Sequence, residues 1–329
     1  MHMIDFTTGS AAIAYRGDVP WHGFGFEMPA NAPIEKWLEA AKLEWKVLRR
    51  PIWTQVMDGA DKIPIDSMRG LIRSDTGSIL SVVSEGYKVV QPAEILEFFR
   101  DLVKDHGFQI ETAGALSDGK RVWALARTGE NFNIGGTDPI KAYLLLATSY
   151  DKQFATTAQF TSVRVVCNNT IQIALQQGLG ADSTSVFRVP HNSVFDPSLV
   201  KHKLGIVGDS WNQFTSDVTK LAGTPISKEA AIQFFLELNG FDEAKTVDEQ
   251  SKVIYLTKKL VNAYEQGPGA QLDTAKGTLW GAVNAVTFFA DHQRRAHDAG
   301  SRMNSAWFGP SSVLKRQAWD KAMAIAEAA

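Results

Sequence analysis

Arg164, Asn168, Gln172 and Gln176 recur at every fourth residue, inside a stretch, 152–181, that contains no aspartate or glutamate. With 36 acids in 329 residues, a window of that length holds about three on average. Amides and hydroxyls donate hydrogen bonds to phosphate oxygens and base edges, and a few cations add attraction, so the stretch suits an extended anionic polymer. An amide-rich, acid-free stripe also suits a subunit interface.

Catalytic patterns are missing. No Gly-x-Ser-x-Gly elbow and no phosphate-binding glycine loop occurs, and the paired glycines of NIGGTD, 133–138, read as a turn. The single cysteine, Cys167, sits among apolar residues where a buried thiol is the common outcome. Asp291, His292, His297 and Asp298 cluster in ADHQRRAHD, yet the two histidines are five apart, whereas a helical metal pair is usually four apart. No catalytic residue, metal ligand or cofactor is therefore expected. The alternative enzymatic reading is a metal-dependent nucleic-acid enzyme using His292 and Asp291. Arg294 and Arg295, with Arg302, Lys315 and Arg316, form a second basic focus.

These groups need elements to position them, and composition allows a substantial core: 44% of residues are hydrophobic and 10% aromatic. A net charge of −2 and a pI near 6.4 remove general basicity, so nucleic-acid binding would need a local patch, or an oligomer that aligns patches. A lone cysteine forms no intrachain disulfide, and neither a leader-like start nor an apolar run of about 18 residues occurs. The expectation is a cytoplasmic protein of a bacterial host cell with no membrane partner.

Three regions are expected: an aromatic N-terminal arm over 1–66, an α+β core over 67–190 and a helical C-terminal region over 191–329. In the core, a helix over 92–107 precedes three to four antiparallel strands, and a covering helix is expected over 161–177, its polar side formed by the four-residue repeat. SDGK, 117–120, marks a hairpin turn. Arg121, Trp123, Leu125 and Arg127 alternate onto one sheet face, opposite Val122, Ala124 and Ala126. An aromatic flanked by arginines suits base stacking; a core tryptophan whose arginine neighbours snorkel fits the same pattern and is the commoner outcome. Ser227 is an expected N-cap.

PWHGFG, VVSEGYKVVQPAE, SYDKQF, RVVCNNT and GTLWGAVNAVTFFADH occur in this order, and nearly the whole chain resembles the phage/plasmid-like protein family, long catalogued as a domain of unknown function. That resemblance implies a mobile-element setting and no reaction. The helix, sheet and helix order over 92–177 is similar, more distantly, to the core of single-strand annealing recombinases, which form rings or filaments and hold DNA in a groove. By position, the second resemblance implies phosphate contact at Lys152, Arg164, Asn168 and Asn169, joined by Lys141, Gln153 and Thr157. The expected function is single-stranded DNA binding and annealing by a non-enzymatic homo-oligomer of a phage or plasmid, acting in recombination. A protein-interaction module directed against host defence is a further alternative.

Overall fold

The computed structural model describes every residue except 1–3, 18–22, 56, 60, 165–168, 173–185, 205–206 and 298. The fold is α+β, with a large mixed sheet, a small antiparallel sheet and a set of helices that follows them in the chain. The large sheet is built on a meander of four long strands: β6 (Gln109–Leu116), β7 (Arg121–Ile134), β8 (Asp138–Ser149) and β9 (Thr156–Arg164). Beyond β6 lie β1 (Ile13–Tyr15) and β2 (Phe26–Glu27), whose parallel pairing makes the sheet mixed. At the other side, β10 (Asn169–Gln172) and β11 (Val186–Val189) share the outer edge of β9.

Local chemistry accounts for the turns. Ser117, Asp118 and Gly119 take φ of 54°, 58° and 87° in the four-residue connection between β6 and β7, where the Gly119 N–H donates to the Leu116 carbonyl at 3.2 Å to close a turn with left-handed central residues. The expected helix over 92–107 forms as two pieces, α2 (Pro92–Glu97) and α3 (Arg100–His106). A turn at Phe98 and Phe99 separates them and buries both rings, and Gly107 ends α3 with φ 71°.

Residues 161–164 and 169–172 are strand, where a covering helix was expected. A four-residue repeat is shared by both periodicities, since it is close to one helical turn and is also two strand repeats. The β-branched content of Thr161, Val163, Thr170 and Ile171 favours the pleated form, and β8 offers a complete ladder from Ile140↔Arg164 to Ala147↔Thr157. Cover comes instead from α2 and from the C-terminal helices α5 (Val207–Gly223), α8 (Leu279–Phe288) and α10 (Pro310–Ala328), which reach β7, β8 and β10.

Helix α8 is the centre of this cover. Its residues from Leu279 to Thr287 are all buried, which explains a segment that is apolar all round. Thr278 caps it, its hydroxyl accepting from the Gly281 N–H at 3.1 Å. A Cβ at Gly281 would stand 1.9 Å from the Ala275 carbonyl oxygen, so this position of the GTLWG motif admits only glycine without backbone movement. Ser227 caps α6 (Lys228–Leu238) as expected.

The small sheet, β3 (Val47–Thr54), β4 (Ile63–Arg73) and β5 (Ile79–Ser84), is tied to the large one through a buried arginine. Arg73 is fully buried; its guanidinium donates to Asp5 at 2.5 Å and Asp75 at 2.7 Å and lies 4.3 Å from the centre of the Trp45 ring. Trp45 meets Tyr150 edge-on at 6.0 Å. No helix among the described residues is long and apolar enough to cross a membrane.

Candidate nucleic-acid interface

Strand alternation divides the large sheet into two faces. Val122, Ala124, Ala126, Ile140, Ala142, Leu144 and Leu146 face the main core, and Trp123, Leu125, Tyr143, Leu145 and Ala147 face a second, smaller core. The expected split of β7 is therefore observed. Trp123 is only 2% exposed and packs edge-on against Trp307 at 6.0 Å, while Phe154 stacks on Phe308 at 4.3 Å. Trp123 is thus a core residue. The tip of α9 (Ala299–Phe308) covers the middle of this face.

The candidate residues separate along the strands. Lys152 and Gln153 are exposed in the β8–β9 turn, where Lys152 holds a left-handed φ of 64°. Arg121 enters this end of the sheet but pairs with Asp151 at 2.8 Å and is largely buried. Thr157, expected to contact DNA, is 3% exposed, and its hydroxyl donates to the Ala155 carbonyl at 2.7 Å, because its strand position faces the second core. Lys141, Arg164 and Asn169 lie at the opposite end of the ladder. There Lys141 stands opposite Val163 and Arg164 opposite Ile140, one residue out of phase. Asn168 lies outside the described residues. Lys152 and Arg164 accordingly stand at opposite ends of the β8–β9 ladder.

The family motifs explain how the turn is held. Tyr87 of EGYKVVQ donates to the Ser149 carbonyl, and Tyr150 of SYDKQF donates to the Val90 carbonyl, each at 2.8 Å. Burial, helped by Asp151, pushes the Tyr87 phenol up, and burial does the same to Tyr150, so both remain donors. His191 stacks on Tyr87 at 4.5 Å, its Nε2 lying 3.1 Å from the Phe154 carbonyl. These motif tyrosines are packing and hydrogen-bonding residues that set the turn carrying Lys152. Arg188, opposite Thr157 on β11, is a further cation here; burial and then the nearby Arg316 lower its guanidinium.

A different set of cations converges across the strands. Arg127 stands opposite Tyr143 on β8 and Gln109 on β6 and donates to Asn131 Oδ1 at 2.6 Å. Asn131 in turn stands opposite Lys141. Arg16, which follows β1, donates to Gln109 Oε1 at 3.2 Å. Lys141, Arg127, Gln109 and Arg16 thus form a band across β8, β7, β6 and β1, about 14 Å at the usual strand spacing. Among the described residues, none of its three cations is in an ion pair. Glu111 on β6 accepts from the Tyr143 hydroxyl at 2.8 Å. Alternation along β7 singles out Arg127 and the recombinase resemblance Lys141, but neither points to Arg16, Gln109 and Asn131, whose proximity arises from pairing between strands.

The second basic focus is dispersed. Lys315 is 4% exposed and donates to Asp291 Oδ1 at 2.8 Å, so it is a buried partner and not a surface cation. Arg294 is half-buried, its carbonyl accepting from Arg302 at 2.9 Å, and Arg295 is exposed beyond the π-helical turn Phe289–Gln293. Among the described residues no three His, Cys, Asp or Glu side chains converge in a metal-binding arrangement.

Fold and site together define an α+β protein with a row of cations and amides across the strands of its large sheet. The chain belongs to the family described as Domain of unknown function (DUF932), whose model matches residues 79–307. No curated protein and no solved structure matches it.

Proposed function

We propose that this protein binds single-stranded DNA and anneals it, acting as an oligomeric ring or filament in recombination in a phage or plasmid setting. The observation that carries this reading is the band of Lys141, Arg127 and Arg16, with Asn131 and Gln109 between them. Cations without carboxylate partners attract a phosphate backbone, and interleaved amides add directional hydrogen bonds. The exposed Lys152 and Gln153 form a second point of attachment at the far end of β8. An acidic chain needs repetition of such patches to hold DNA, which an oligomer provides.

The β3–β4 hairpin supports the oligomeric part of the proposal. Toward its tip Trp53 is 54%, Met57 71% and Ile63 49% exposed, and the register sets Trp53 and Ile63 on opposite faces, so both sides of the hairpin offer a large apolar side chain to a neighbouring subunit. The test is titration of fluorescent oligonucleotides across a salt series, with electron microscopy of the protein alone and with DNA. Expected are rings or filaments and a log-log salt slope of roughly −0.7 per phosphate neutralised. Absence of binding at low salt would overturn the proposal.

A further inference from the structure

Beside Arg16, at the end of the cation band, a cleft of about 560 Å³ opens between α1 (Ile34–Ala40), α3 and the start of β6. That volume is within the range of small-molecule sites. Its walls divide by chemistry. Ile34, Trp37 and Ile110 are buried apolar side chains, and Phe108 is a half-buried aromatic beside them. Lys104 and Arg16 supply charge, and the amides of Asn31 and Gln109 line the same opening.

The charges are not equivalent. Arg100 also lines the cleft, but its guanidinium is held by both Glu97 oxygens and by Glu35, at 2.7 Å each. Its pKa is raised chiefly by the Glu97 hydrogen bonds and then by Glu35. Arg16 and Lys104 make no ion pair among the described residues, and Arg16 uses one N–H on Gln109 while a guanidinium carries five. Two cations therefore remain for an anionic ligand. A bare anion would leave the apolar walls unused, whereas a nucleotide fits both parts. Its base would lie on the aromatic and aliphatic surface with its edge toward the amides, and its phosphate would meet Lys104 and Arg16.

We propose that this cleft binds one nucleoside 5′-phosphate, either free or as an unstacked unit of a bound single strand. In the second form the inference rests on the DNA-binding reading above. Two measurements on the full chain separate the sources. Saturation-transfer NMR with dAMP, in competition with inorganic phosphate, reads the free nucleotide. Acrylamide quenching of a 2-aminopurine inside an oligonucleotide reads the strand.

Saturation should reach the base protons of dAMP, phosphate at equal concentration should leave most dAMP bound, and Lys104→Glu should weaken dAMP by about tenfold, the loss expected of one charge-assisted hydrogen bond. Gln109→Ala should also weaken it; both side chains are exposed, so folding is preserved and circular dichroism checks that. In the strand, 2-aminopurine should be shielded by the wild-type protein and exposed in Lys104→Glu. If the oligonucleotide binds while dAMP does not and 2-aminopurine remains quenchable, the cleft proposal fails and the DNA-binding reading stands. If dAMP binds while no oligonucleotide does, the DNA-binding reading fails and the cleft is a site for free nucleotide. Displacement of dAMP by an equal concentration of phosphate would reduce the cleft to an anion site and overturn the proposal.

Discussion

The indole N–H of Trp280 donates to Asp138 Oδ2 at 3.1 Å, and both side chains are buried. The two residues are 142 apart in sequence, one at the start of β8 and the other in the GTLWG motif of α8. The same oxygen accepts from Thr274 at 2.9 Å. This contact fastens the C-terminal helices to the sheet at the end that carries Lys141.

Trp280→Phe keeps most of the ring but removes one donor from a buried carboxylate. The variant should lose about 1–3 kcal/mol of stability. Urea unfolding measures it, and an unchanged midpoint would show that this hydrogen bond does not secure the helices.

Arg73 is the corresponding fastener of the small sheet. Arg73→Met leaves Asp5 buried without its cation and should cost about 3–5 kcal/mol. The double variant Arg73→Met with Asp5→Asn should recover part of that loss, and thermal unfolding of the wild-type protein and the two variants compares them. A double variant as unstable as Arg73→Met would show that shape, more than charge pairing, dominates there.

For the cation band, Lys141→Ala and Arg127→Ala should each weaken oligonucleotide binding and reduce the salt slope by roughly 0.7, with oligomer size unchanged. Sedimentation and fluorescence anisotropy provide both readouts. Loss of affinity with an unchanged slope would assign these residues to structure and not to phosphate.

Lys152 separates charge from strain. Its left-handed backbone favours glycine, so Lys152→Gly should be neutral or stabilising while lowering DNA affinity. Lys152→Ala keeps the Cβ and its strain, so it should lower affinity and leave stability little changed. Equal affinity in all three proteins would remove the turn from the interface.

His191 should make stability pH-dependent. Burial lowers its pKa from the ordinary 6.5, against the opposing pull of the Phe154 and Lys88 carbonyls. The unfolded chain then takes up the proton more readily than the folded one, so stability is complete above pH 6.5 and falls as pH drops through the lowered value. His191→Phe retains a ring against Tyr87 without titrating, and its unfolding midpoint should vary less between pH 7.5 and 5, conditions on the order of one unit to either side of an imidazole's range. An identical pH profile in the two proteins would rule the imidazole out.

Much of the architecture could be read locally. The β6–β7 hairpin followed from SDGK, the two faces of β7 from simple alternation, and the cap of α6 from Ser227, because each depends on a few neighbouring residues. Residues 161–164 and 169–172 are strand in place of the expected helix for an equally local reason. A repeat of four cannot distinguish the two periodicities, and what separates them is the ladder offered by β8.

The candidate site was legible only in part. Lys141, Arg127 and Lys152 stood out as cations in suitable segments, but Thr157 and Trp123 proved to be buried. Their positions depend on what covers the second face, and Trp307 and Phe308 arrive there from a helix more than a hundred residues away.

By itself, the sequence determined an α+β chain with a large core, few local cations and a meander of long strands. Tertiary structure decided which cations act together: strand register brought Arg127 beside Gln109 and Arg16, while ion pairing withdrew Arg121 and Lys315. The physical reason is that periodicity assigns a residue to a face, whereas its neighbour across the ladder and its partner in an ion pair come from distant parts of the chain.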